Sequence, residues 1–322
     1  MVNNSPIVDL LKQDKDILRD IGVVVIGRNE GLRLQSTLNS VLATGCAVIY
    51  VDSRSVDNSV QITSDLGVEV KVLGDENPVN ASRARNTGAK ALLSQYPDLR
   101  YLQFLDGDTT IQPDWLIAAC KHLKQSPEVG FVCGQLREKD RDENIYRRLC
   151  DMEWRWEVTN NAEPCRLGGM GVMRIESYNA TNGYDENLIA GADPELYTRI
   201  KQAGWSLHVL DTDMGIHDSG MLSFNQWWIR NIKSGFGFAN GQLTGAWSKE
   251  RRSAIFWGGL PIIALITMCF FPIAAFLLLL FVLKSWHIWF GPAKRAFSND
   301  DRWLYAASCM VSKVPQLIGI VK

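Results

Sequence analysis

The chain contains one very long stretch without charge: residues 254–283 include no Asp, Glu, Lys or Arg over 30 positions. A helix needs about 20 apolar residues to cross a bilayer, so this stretch is longer than a single span requires. Pro272 divides it, and basic residues flank it on both sides, as is typical of ends that stay in the cytoplasm. The pattern predicts a transmembrane or re-entrant helical hairpin at 253–290. A single kinked helix and the buried helical hairpin of a soluble protein are the alternatives.

The sequence around this stretch is rich in tryptophan. Seven of the 11 Trp follow residue 226, and Trp favours boundaries between apolar and wet surroundings. We therefore expect a tryptophan belt at a membrane interface, beginning with Trp227 and Trp228. Residues 300–322 alternate apolar side chains with Ser, Lys and Gln, which predicts an amphipathic helix on the membrane surface. A helix packed on the globular part is the alternative.

The composition excludes several classes of protein. The 34 Lys and Arg nearly balance the 35 Asp and Glu, for a net charge of −1, whereas a nucleic-acid-binding protein needs a basic face. Hydrophobic residues make up 46% of the chain, which argues against disorder. The seven Cys are scattered without a C-x-x-C pair, which favours reduced thiols in a protein facing the cytoplasm. Residues 1–20 are predicted to be an N-terminal extension without the apolar region of a signal peptide.

The first hundred residues alternate between short β-branched runs and amphipathic segments. Strands are predicted at 22–26, 47–51, 68–72 and 101–105, and helices at 32–42, 57–66 and 82–94. Such alternation predicts an α/β fold with a mostly parallel sheet, whose ligands bind at the carboxyl ends of the strands. Asp52 and Asp106 follow two of these strands. The turn after the first strand lacks G-x-G-x-x-G, and the chain lacks a P-loop, so neither kind of nucleotide site is predicted.

Two carboxylates stand together after the fourth predicted strand, in Asp106-Gly107-Asp108. The glycine allows the backbone to turn, so both carboxylates can face one point beyond the sheet. Paired oxygen ligands suit Mg²⁺ or Mn²⁺ bound together with a substrate's phosphates. An ordinary turn is the alternative, because Asp-Gly-Asp is also a common turn sequence.

Three motifs follow one another along the chain in an order that indicates a family: Asp52, then Arg83-Ala-Arg85-Asn86-Thr-Gly88, then Asp106-Gly-Asp108. This arrangement resembles the inverting glycosyltransferases of family 2, which have a GT-A fold. The resemblance covers about residues 20–240, so a catalytic domain is predicted at 21–248. Three later segments also resemble segments of the family: Gly168–Met173, Asn182–Asp185 and Gly191–Arg199.

The resemblance implies a role for each matching residue. The nucleotide sugar is expected to contact Asp52, Arg28, Glu30, Arg83, Asn86 and Asp106. A Mn²⁺ or Mg²⁺ ion is expected on Asp108, with His217 as a further candidate ligand. Asp193 is expected to be the general base that deprotonates the acceptor hydroxyl. Residues 193–195, Asp-Pro-Glu, also suit a helix start with Asp193 as its N-cap, and His217 has a purely structural alternative.

Gly169, Met170 and Arg230 are weaker candidates for contacts with the acceptor or the diphosphate. Arg230 lies in Gln-Trp-Trp-Ile-Arg, whose order differs from the Q-x-x-R-W of processive members, so a membrane-anchoring helix is an equal alternative. The chain also departs from the family's pattern at Ala192, where an acidic residue is usual, and at Arg54, where glycine is common.

The resemblance therefore implies a metal-dependent inverting enzyme that moves a sugar, expected from a UDP-sugar, to a hydroxyl acceptor. The apolar C-terminal region suggests a lipid-linked or polysaccharide acceptor in cell-envelope or exopolysaccharide synthesis. It also suggests association with a bacterial inner or plasma membrane, with the catalytic domain in the cytoplasm. A polyprenyl-phosphate glycosyltransferase and a catalytically idle membrane scaffold of the same fold are the alternatives.

Overall fold

The computed structural model describes residues 16–75, 79–155, 157–163, 168–240, 247–272, 276–291 and 297–322. Within these ranges the strands are β1 (Ile21–Gly27), β2 (Ala47–Asp52), β3 (Glu69–Val72), β4 (Tyr101–Asp106), β5 (Thr109–Ile111), β6 (Val129–Glu138), β7 (Gly171–Arg174) and β8 (Ser206–His217). The helices are α1 (Leu32–Leu42), α2 (Ser59–Asp65), α3 (Ala81–Gln95), α4 (Trp115–Gln125), α5 (Ile145–Glu153), α6 (Ile175–Ala180), α7 (Ala192–Gln202), α8 (Phe224–Asn240), α9 (Ser248–Met268), α10 (Phe276–Phe290), α11 (Asn299–Val311) and α12 (Lys313–Val321).

The strands form one mixed sheet in the order β3-β2-β1-β4-β7-β6-β8-β5. The four strands predicted from the sequence, β1 to β4, pair parallel with one another as expected. The register places Gly27 beside Asp52 and Ile26 beside Asp106. Parallel pairing therefore brings the two carboxylates to the same edge of the sheet, one on each side of β1.

The antiparallel part of the sheet begins where β7 pairs with β4. β7 also pairs antiparallel with β6, and β8 pairs antiparallel with β5. The sequence pattern predicts no strand at the positions of β5 and β6. The pairing of Thr109 with His217 places the end of β8 beside the turn that follows β4.

Helix α3 packs directly on the parallel strands. Its N-cap is Asn80, whose side-chain oxygen accepts a hydrogen bond of 2.9 Å from the backbone N–H of Arg83. Gly88 faces the sheet so closely that a Cβ there would lie 2.4 Å from Cγ1 of Val24. Because Gly88 has no side chain, α3 can pack close against β1. This packing sets the position of the start of α3 relative to the carboxyl ends of the strands.

Two compact units make up the chain: residues 1–137 with 155–218, and residues 138–154 with 219–322. The first contains the parallel part of the sheet and its helices. The predicted domain boundaries at 20, 248 and 253 remain predictions.

The second unit has its own small apolar core, formed by Leu149, Cys150, Met152, Met221 and Trp227. Trp227 is only 5% exposed, so the expectation that it begins a membrane belt is wrong. Its ring packs in this core because α8 turns that face toward α5 rather than outward. Among the tryptophans expected in the belt, Trp286 remains about half exposed.

The last helix of the second unit is packed backbone to backbone. A Cβ on Gly235 of α8 would lie 2.0 Å from the carbonyl oxygen of Gln316, and one on Gly258 of α9 would lie 2.3 Å from that of Lys313. A Cβ on Gly319 would similarly lie 2.0 Å from the carbonyl oxygen of Ile232. These glycines allow α12 to contact α8 and α9 without intervening side chains.

Asp301, at the start of α11, is the centre of an ion-pair cluster. Its carboxylate accepts hydrogen bonds from Arg141 and from both Nε and Nη2 of Arg148. Arg141 also pairs with the buried carboxylate of Asp151, over 3.0 Å. Residues 141–151 and α11 are therefore held together by opposite charges.

Within the described ranges, one helical stretch, Asn299–Val321, is long and apolar enough to cross a membrane by length and composition, and 33% of its most apolar window is buried inside the protein. Helices α9 and α10 leave many large apolar side chains exposed, among them Ile255, Phe256, Ile262, Ile263, Leu265, Ile266, Phe276, Leu279, Leu280, Val282, Leu283 and Phe290. The predicted hairpin at 253–290 remains a prediction, since residues 273–275, next to its turn, lie outside the described residues.

We expect Gly88→Val to lower the free energy of unfolding by at least about 2 kcal/mol, because the new side chain overpacks the contact with Val24. Lys90→Ala on the exposed side of the same helix is the control and should change it by less than about 0.5 kcal/mol. Denaturant titration of both variants checks this, and equal midpoints would contradict the packing described.

Candidate active site at the carboxyl ends of the parallel strands

Asp52 ends β2 and organises the loop that follows it. Its side chain is fully buried, and its two oxygens accept hydrogen bonds from the Tyr50 hydroxyl (2.9 Å), the Ser55 N–H (2.7 Å) and the Ser55 hydroxyl (2.5 Å). Ser55 Oγ in turn accepts the N–H of Asn29, which ties this loop to the loop after β1. The carboxylate predicted to contact the nucleotide therefore shapes the loop in this structure.

The loop after β1 carries Arg28 and Glu30. Arg28 is exposed, whereas Glu30 is half-buried and forms an ion pair of 2.8 Å with Arg33 of α1. Burial raises the pKa of Glu30, and the charge of Asp108 raises it further, although Arg33 counteracts both. Glu30 thus belongs to the same electrostatic environment as the Asp-Gly-Asp turn.

The Asp-Gly-Asp turn directly follows β4. The N–H of Gly107 donates to the carbonyl of Ile26, and the Thr37 hydroxyl donates to the carbonyl of Gly107. His217 Nε2 lies 3.5 Å from Oδ2 of Asp108, because β8 brings it there through its pairing with Thr109. The structure thus brings together the two residues predicted to bind metal, 109 positions apart in sequence.

The two carboxylates of the turn titrate differently. Burial raises the pKa of Asp106, and the charges of Asp108 and Asp193 add to this effect, while Arg85 opposes it. Burial also disfavours the charge of Asp108, but the hydrogen bond and charge of His217 bring the pKa of Asp108 below its usual value. Negative charge is thus concentrated around Asp106, where a cation or a donor hydroxyl would stabilise it.

Arg85, on the second turn of α3, connects two of the candidate residues. Nη1 lies 2.9 Å from Oδ1 of Asp193, and Nη2 lies 3.1 Å from Oδ1 of Asp106. Burial lowers the pKa of Arg85, but the charges of Asp193 and Asp106 outweigh it, so the pKa is raised overall and the guanidinium stays charged. Arg85 is therefore a fixed buried cation between the two carboxylates.

Asp193 lies in the first turn of α7, but it is not the N-cap that the Asp-Pro-Glu pattern suggested. The N-cap is Gly191, in the left-handed conformation with φ of 81°, and the helix begins at Ala192. Because Gly191 is the N-cap, α7 begins before Asp193, and Asp193 lies within the first turn of the helix. Its side chain points toward Arg85 and is 27% exposed. A carboxylate at this position is also favoured by the helix dipole.

The other predicted nucleotide ligands on α3 are engaged within the protein. The side-chain amide of Asn86 donates to the carbonyl of Tyr184 and to the carboxylate of Glu186, and its oxygen accepts from the Tyr178 hydroxyl and the Tyr184 N–H. Asn86 thus anchors the segment Asn182–Asp185, one of those that resemble segments of the family. Arg83 donates to the carbonyl of Gly74.

Of the weaker candidates, Gly169 lies in the site and Met170 is buried beside it. A Cβ on Gly169 would lie 2.6 Å from Oδ1 of Asp193, so only glycine lets the backbone approach this closely. Arg230 belongs to the second unit, where it pairs with Glu153 over 3.0 Å and donates to Sγ of Cys150. Its guanidinium is thus already bonded within α5 and α8.

Asp108 and His217 could supply part of the coordination of a divalent ion. One carboxylate oxygen of Asp108 and one imidazole nitrogen of His217 are close enough to contact the same ion, and this mixed set suits Mn²⁺. Among the described residues, no group of three or more His, Cys, Asp and Glu side chains can hold a metal ion. The remaining ligands would have to be water and substrate oxygens, which is the usual mode for Mg²⁺ at phosphate sites.

Sequence reasoning missed the roles of Arg85 and Arg33. The motif at residues 83–88 predicts ligand contacts for Arg83 and Asn86, whereas in the structure Arg85 is the residue that contacts Asp106 and Asp193. The helical period offered a signal: Arg85 and Gly88 are three residues apart and share the face toward the sheet, whereas Lys90 is exposed.

A model of glycosyl transferase family 2 matches residues 22–180, which include β1 to β4 and end before Asp193 and His217. The pre-mycofactocin glycosyltransferase of Mycobacterium tuberculosis is 26% identical over 212 residues, or 62% of this chain and 43% of that protein. The N-acetylglucosaminyltransferase of Azorhizobium caulinodans is 29% identical over 169 residues, or 49% of this chain and 41% of that protein. The chain thus spans less than half the length of these curated relatives.

The fold resembles that of solved glycosyltransferases. The mannosyltransferase PcManGT from Pyrobaculum calidifontis, in complex with GDP-Man and Mn²⁺, superimposes with a TM-score of 0.57 over 93% of each chain. The two sequences are 18% identical, so this likeness shows the GT-A fold alone.

We expect Ser55→Ala to lower the free energy of unfolding by about 1–3 kcal/mol, because it removes the hydroxyl bonded to the buried Asp52 carboxylate. Ser53→Ala, two positions earlier in the same loop, is the matched control and should be nearly neutral. Thermal or chemical denaturation of the two variants decides; equal stabilities would mean that Asp52 does not depend on this loop.

Proposed function

Because this chain belongs to glycosyltransferase family 2, we propose that it transfers a glycosyl group from a nucleotide sugar to an acceptor hydroxyl, with inversion at the anomeric carbon. The observation that carries the proposal is the convergence of Asp106, Asp108 and Asp193 around Arg85 and His217 at one edge of the sheet. In this arrangement the base candidate, Asp193, pairs with Arg85, whereas the metal candidates, Asp108 and His217, contact each other.

Asp108 and His217 would hold a Mn²⁺ or Mg²⁺ ion together with the donor's diphosphate. When bound, the ion would neutralise the charge that builds up on the departing nucleoside diphosphate. Arg33 supplies positive charge beside the same turn. Its charge helps to lower the pKa of Asp108 and opposes the burial that raises the pKa of Glu30. Asp106 is left to accept a hydroxyl of the donor.

Asp193 would act as the general base. As the acceptor oxygen forms its bond to the anomeric carbon, the bond from that carbon to the diphosphate oxygen breaks, and the hydroxyl proton passes to the Asp193 carboxylate. The nucleoside diphosphate leaves on the opposite face. Partial exposure of Asp193 leaves room for the acceptor to reach it.

The loops after β1 and β2 would border the nucleoside. Arg28 is exposed there, and the bonds from Asp52 and Asn29 hold both loops in one conformation. Asp52 would support nucleotide binding indirectly, because it holds the loop after β2 in place. Arg83 and Asn86 would do the same through the segments that they anchor. We expect a uridine nucleotide, and the GDP-Man complex of PcManGT makes a guanosine nucleotide the first competitor to test.

The acceptor is proposed to be lipid-linked or a growing glycan at a membrane. The exposed apolar side chains of α9 and α10 would bind a bilayer, and transfer would occur on the cytoplasmic side. The same surface supports the alternative of a polyprenyl phosphate acceptor. A phosphate acceptor has no hydroxyl proton of comparable pKa to remove, so retained turnover in Asp193→Asn would favour it.

Hydrolysis of UDP-, GDP- and dTDP-sugars with Mn²⁺ or Mg²⁺ tests the proposal directly. We expect release of the nucleoside diphosphate from one donor class and its loss when EDTA removes the metal. A chain that binds no nucleotide by calorimetry, with or without metal, would instead be the idle scaffold of this fold.

Two substitutions should separate the roles of the carboxylates. Asp108→Asn should weaken metal-dependent binding of the nucleoside diphosphate at least about tenfold, or 1.4 kcal/mol, since it removes the charged ligand. Asp193→Asn should leave that affinity nearly unchanged and lower kcat about 10²- to 10⁴-fold. Calorimetry and initial rates measure the two effects.

The matched control for both is Asp213→Asn, an exposed carboxylate on β8 that pairs with Arg137. It should retain both affinity and kcat. Full turnover in Asp108→Asn and in Asp193→Asn would overturn the assignment of the site.

Flotation with vesicles tests the membrane proposal. The full chain should float with vesicles that contain anionic lipid, and Leu279→Asp with Leu283→Asp should abolish flotation, since each buried charge costs about 3 kcal/mol in a bilayer. Leu42→Asp with Tyr96→Asp, two exposed positions of the first unit, is the charge-matched control. Persistence of the full chain in the soluble fraction, without detergent, would rule the proposal out.

A further inference from the structure

The guanidinium of Arg85 lies almost completely inside the protein, although it is charged. Its side chain is 5% exposed, and its Nη1 and Nη2 each bond a different carboxylate, Oδ1 of Asp193 and Oδ1 of Asp106. Among the described residues its buried Nε has no hydrogen-bond partner. All of the described hydrogen bonding of this cation is thus devoted to joining α7 to the end of β4.

The position of the guanidinium is fixed by shape as well as by charge. Its Cζ lies 5.3 Å from the centroid of the Tyr184 ring, a cation–π distance. On another side, a Cβ at Gly169 would lie 2.3 Å from Nη2 and 2.6 Å from Oδ1 of Asp193. The backbone of Gly169 therefore closes over the Arg85–Asp193 pair and leaves it no room to shift.

This geometry makes the two oxygens of Asp193 unequal. Oδ1 is bonded to Arg85 and covered by Gly169, whereas Oδ2 accepts no hydrogen bond from the described residues. We propose that Arg85 is a positioning residue that orients Asp193 so that Oδ2 alone receives the proton of the attacking hydroxyl, and that ties this orientation to the donor-site carboxylate of Asp106. The inference rests on the proposed function.

A lysine at position 85 could not make both contacts in the same geometry. The planar guanidinium presents separate N–H groups to two acceptors in a fixed geometry, whereas an ammonium is a point charge on a flexible stem. Arg85→Lys keeps the charge beside Asp106 but loses the fixed span to Asp193. The expected consequence is a fall in kcat larger than any rise in the donor KM.

The closing experiment uses the full chain and hydrolysis of the UDP-sugar that the wild-type chain turns over fastest, with water as the acceptor. Arg85→Lys should lower kcat about 10²-fold, the size of effect expected for a misplaced base, with the donor KM within about threefold of wild type. Gly169→Ala, which changes no charge, should likewise lower kcat and leave the donor KM nearly unchanged, because the added methyl group would push Arg85 and Asp193 apart. Lys90→Ala, on the exposed side of α3, is the control and should retain kcat.

Chemical rescue separates positioning from a purely structural role. Arg85→Ala leaves a space of guanidinium shape, and millimolar guanidinium should restore its kcat at least about tenfold, while the same concentration should not stimulate Lys90→Ala or the double variant Arg85→Ala with Asp193→Asn. A contribution to folding alone would not give a rescue that depends on Asp193. Circular dichroism confirms that each variant is folded before its rate is compared.

Three outcomes overturn the inference. They are an unchanged kcat in folded Arg85→Lys, an effect confined to the donor KM, and an equal rescue by guanidinium in the double variant Arg85→Ala with Asp193→Asn. Absence of turnover by the wild-type chain would overturn the proposed function and this inference together, whereas wild-type turnover with any of the three outcomes would overturn the inference alone.

Discussion

Mutual repulsion among carboxylates is the constraint on which the site depends. The parallel register brings Asp106 to the same edge as Glu30 and Asp108, and α7 adds Asp193. Such a concentration of negative charge is stable only with nearby cations, because burial weakens the screening that water supplies. Arg85 and Arg33 provide part of that compensation, while burial first and the neighbouring carboxylates second raise the pKa values of Glu30 and Asp106. A cation placed among these carboxylates would reduce their mutual repulsion further.

The parallel half of the fold could be predicted from the sequence because its signals are local. Buried runs such as Val23–Val25 alternate with amphipathic helices, and the predicted helix at 32–42 has the bounds of α1. Asp52 and Asp106 at strand ends followed from the same pattern. The antiparallel strands could not be predicted in this way: β5 has three residues, and the pairing of β5 with β8 joins segments about a hundred positions apart.

The direction of individual side chains was the least predictable property. Asp193 matched a helix N-cap by residue type, but a glycine two positions earlier, with positive φ, took that place and turned the carboxylate toward Arg85. Asn86 matched a nucleotide ligand, but all of its hydrogen-bonding groups serve the segment 178–186. Trp227 matched an interface residue, and it is buried in a core that includes residues from α5. For Asn86 and Trp227 the deciding partners are distant in sequence, so no local pattern encodes them.

The ion-pair cluster around Asp301 bears on how the protein can be produced. A truncation after residue 248, chosen to remove the apolar segments, would also remove this carboxylate. Arg148 and Arg141 would then lose their shared acceptor, and Gly235 would present bare backbone where the carbonyl of Gln316 had covered it. Helices α11 and α12 are thus part of the packing of the second unit, and a shortened chain would lose contacts that the intact chain keeps.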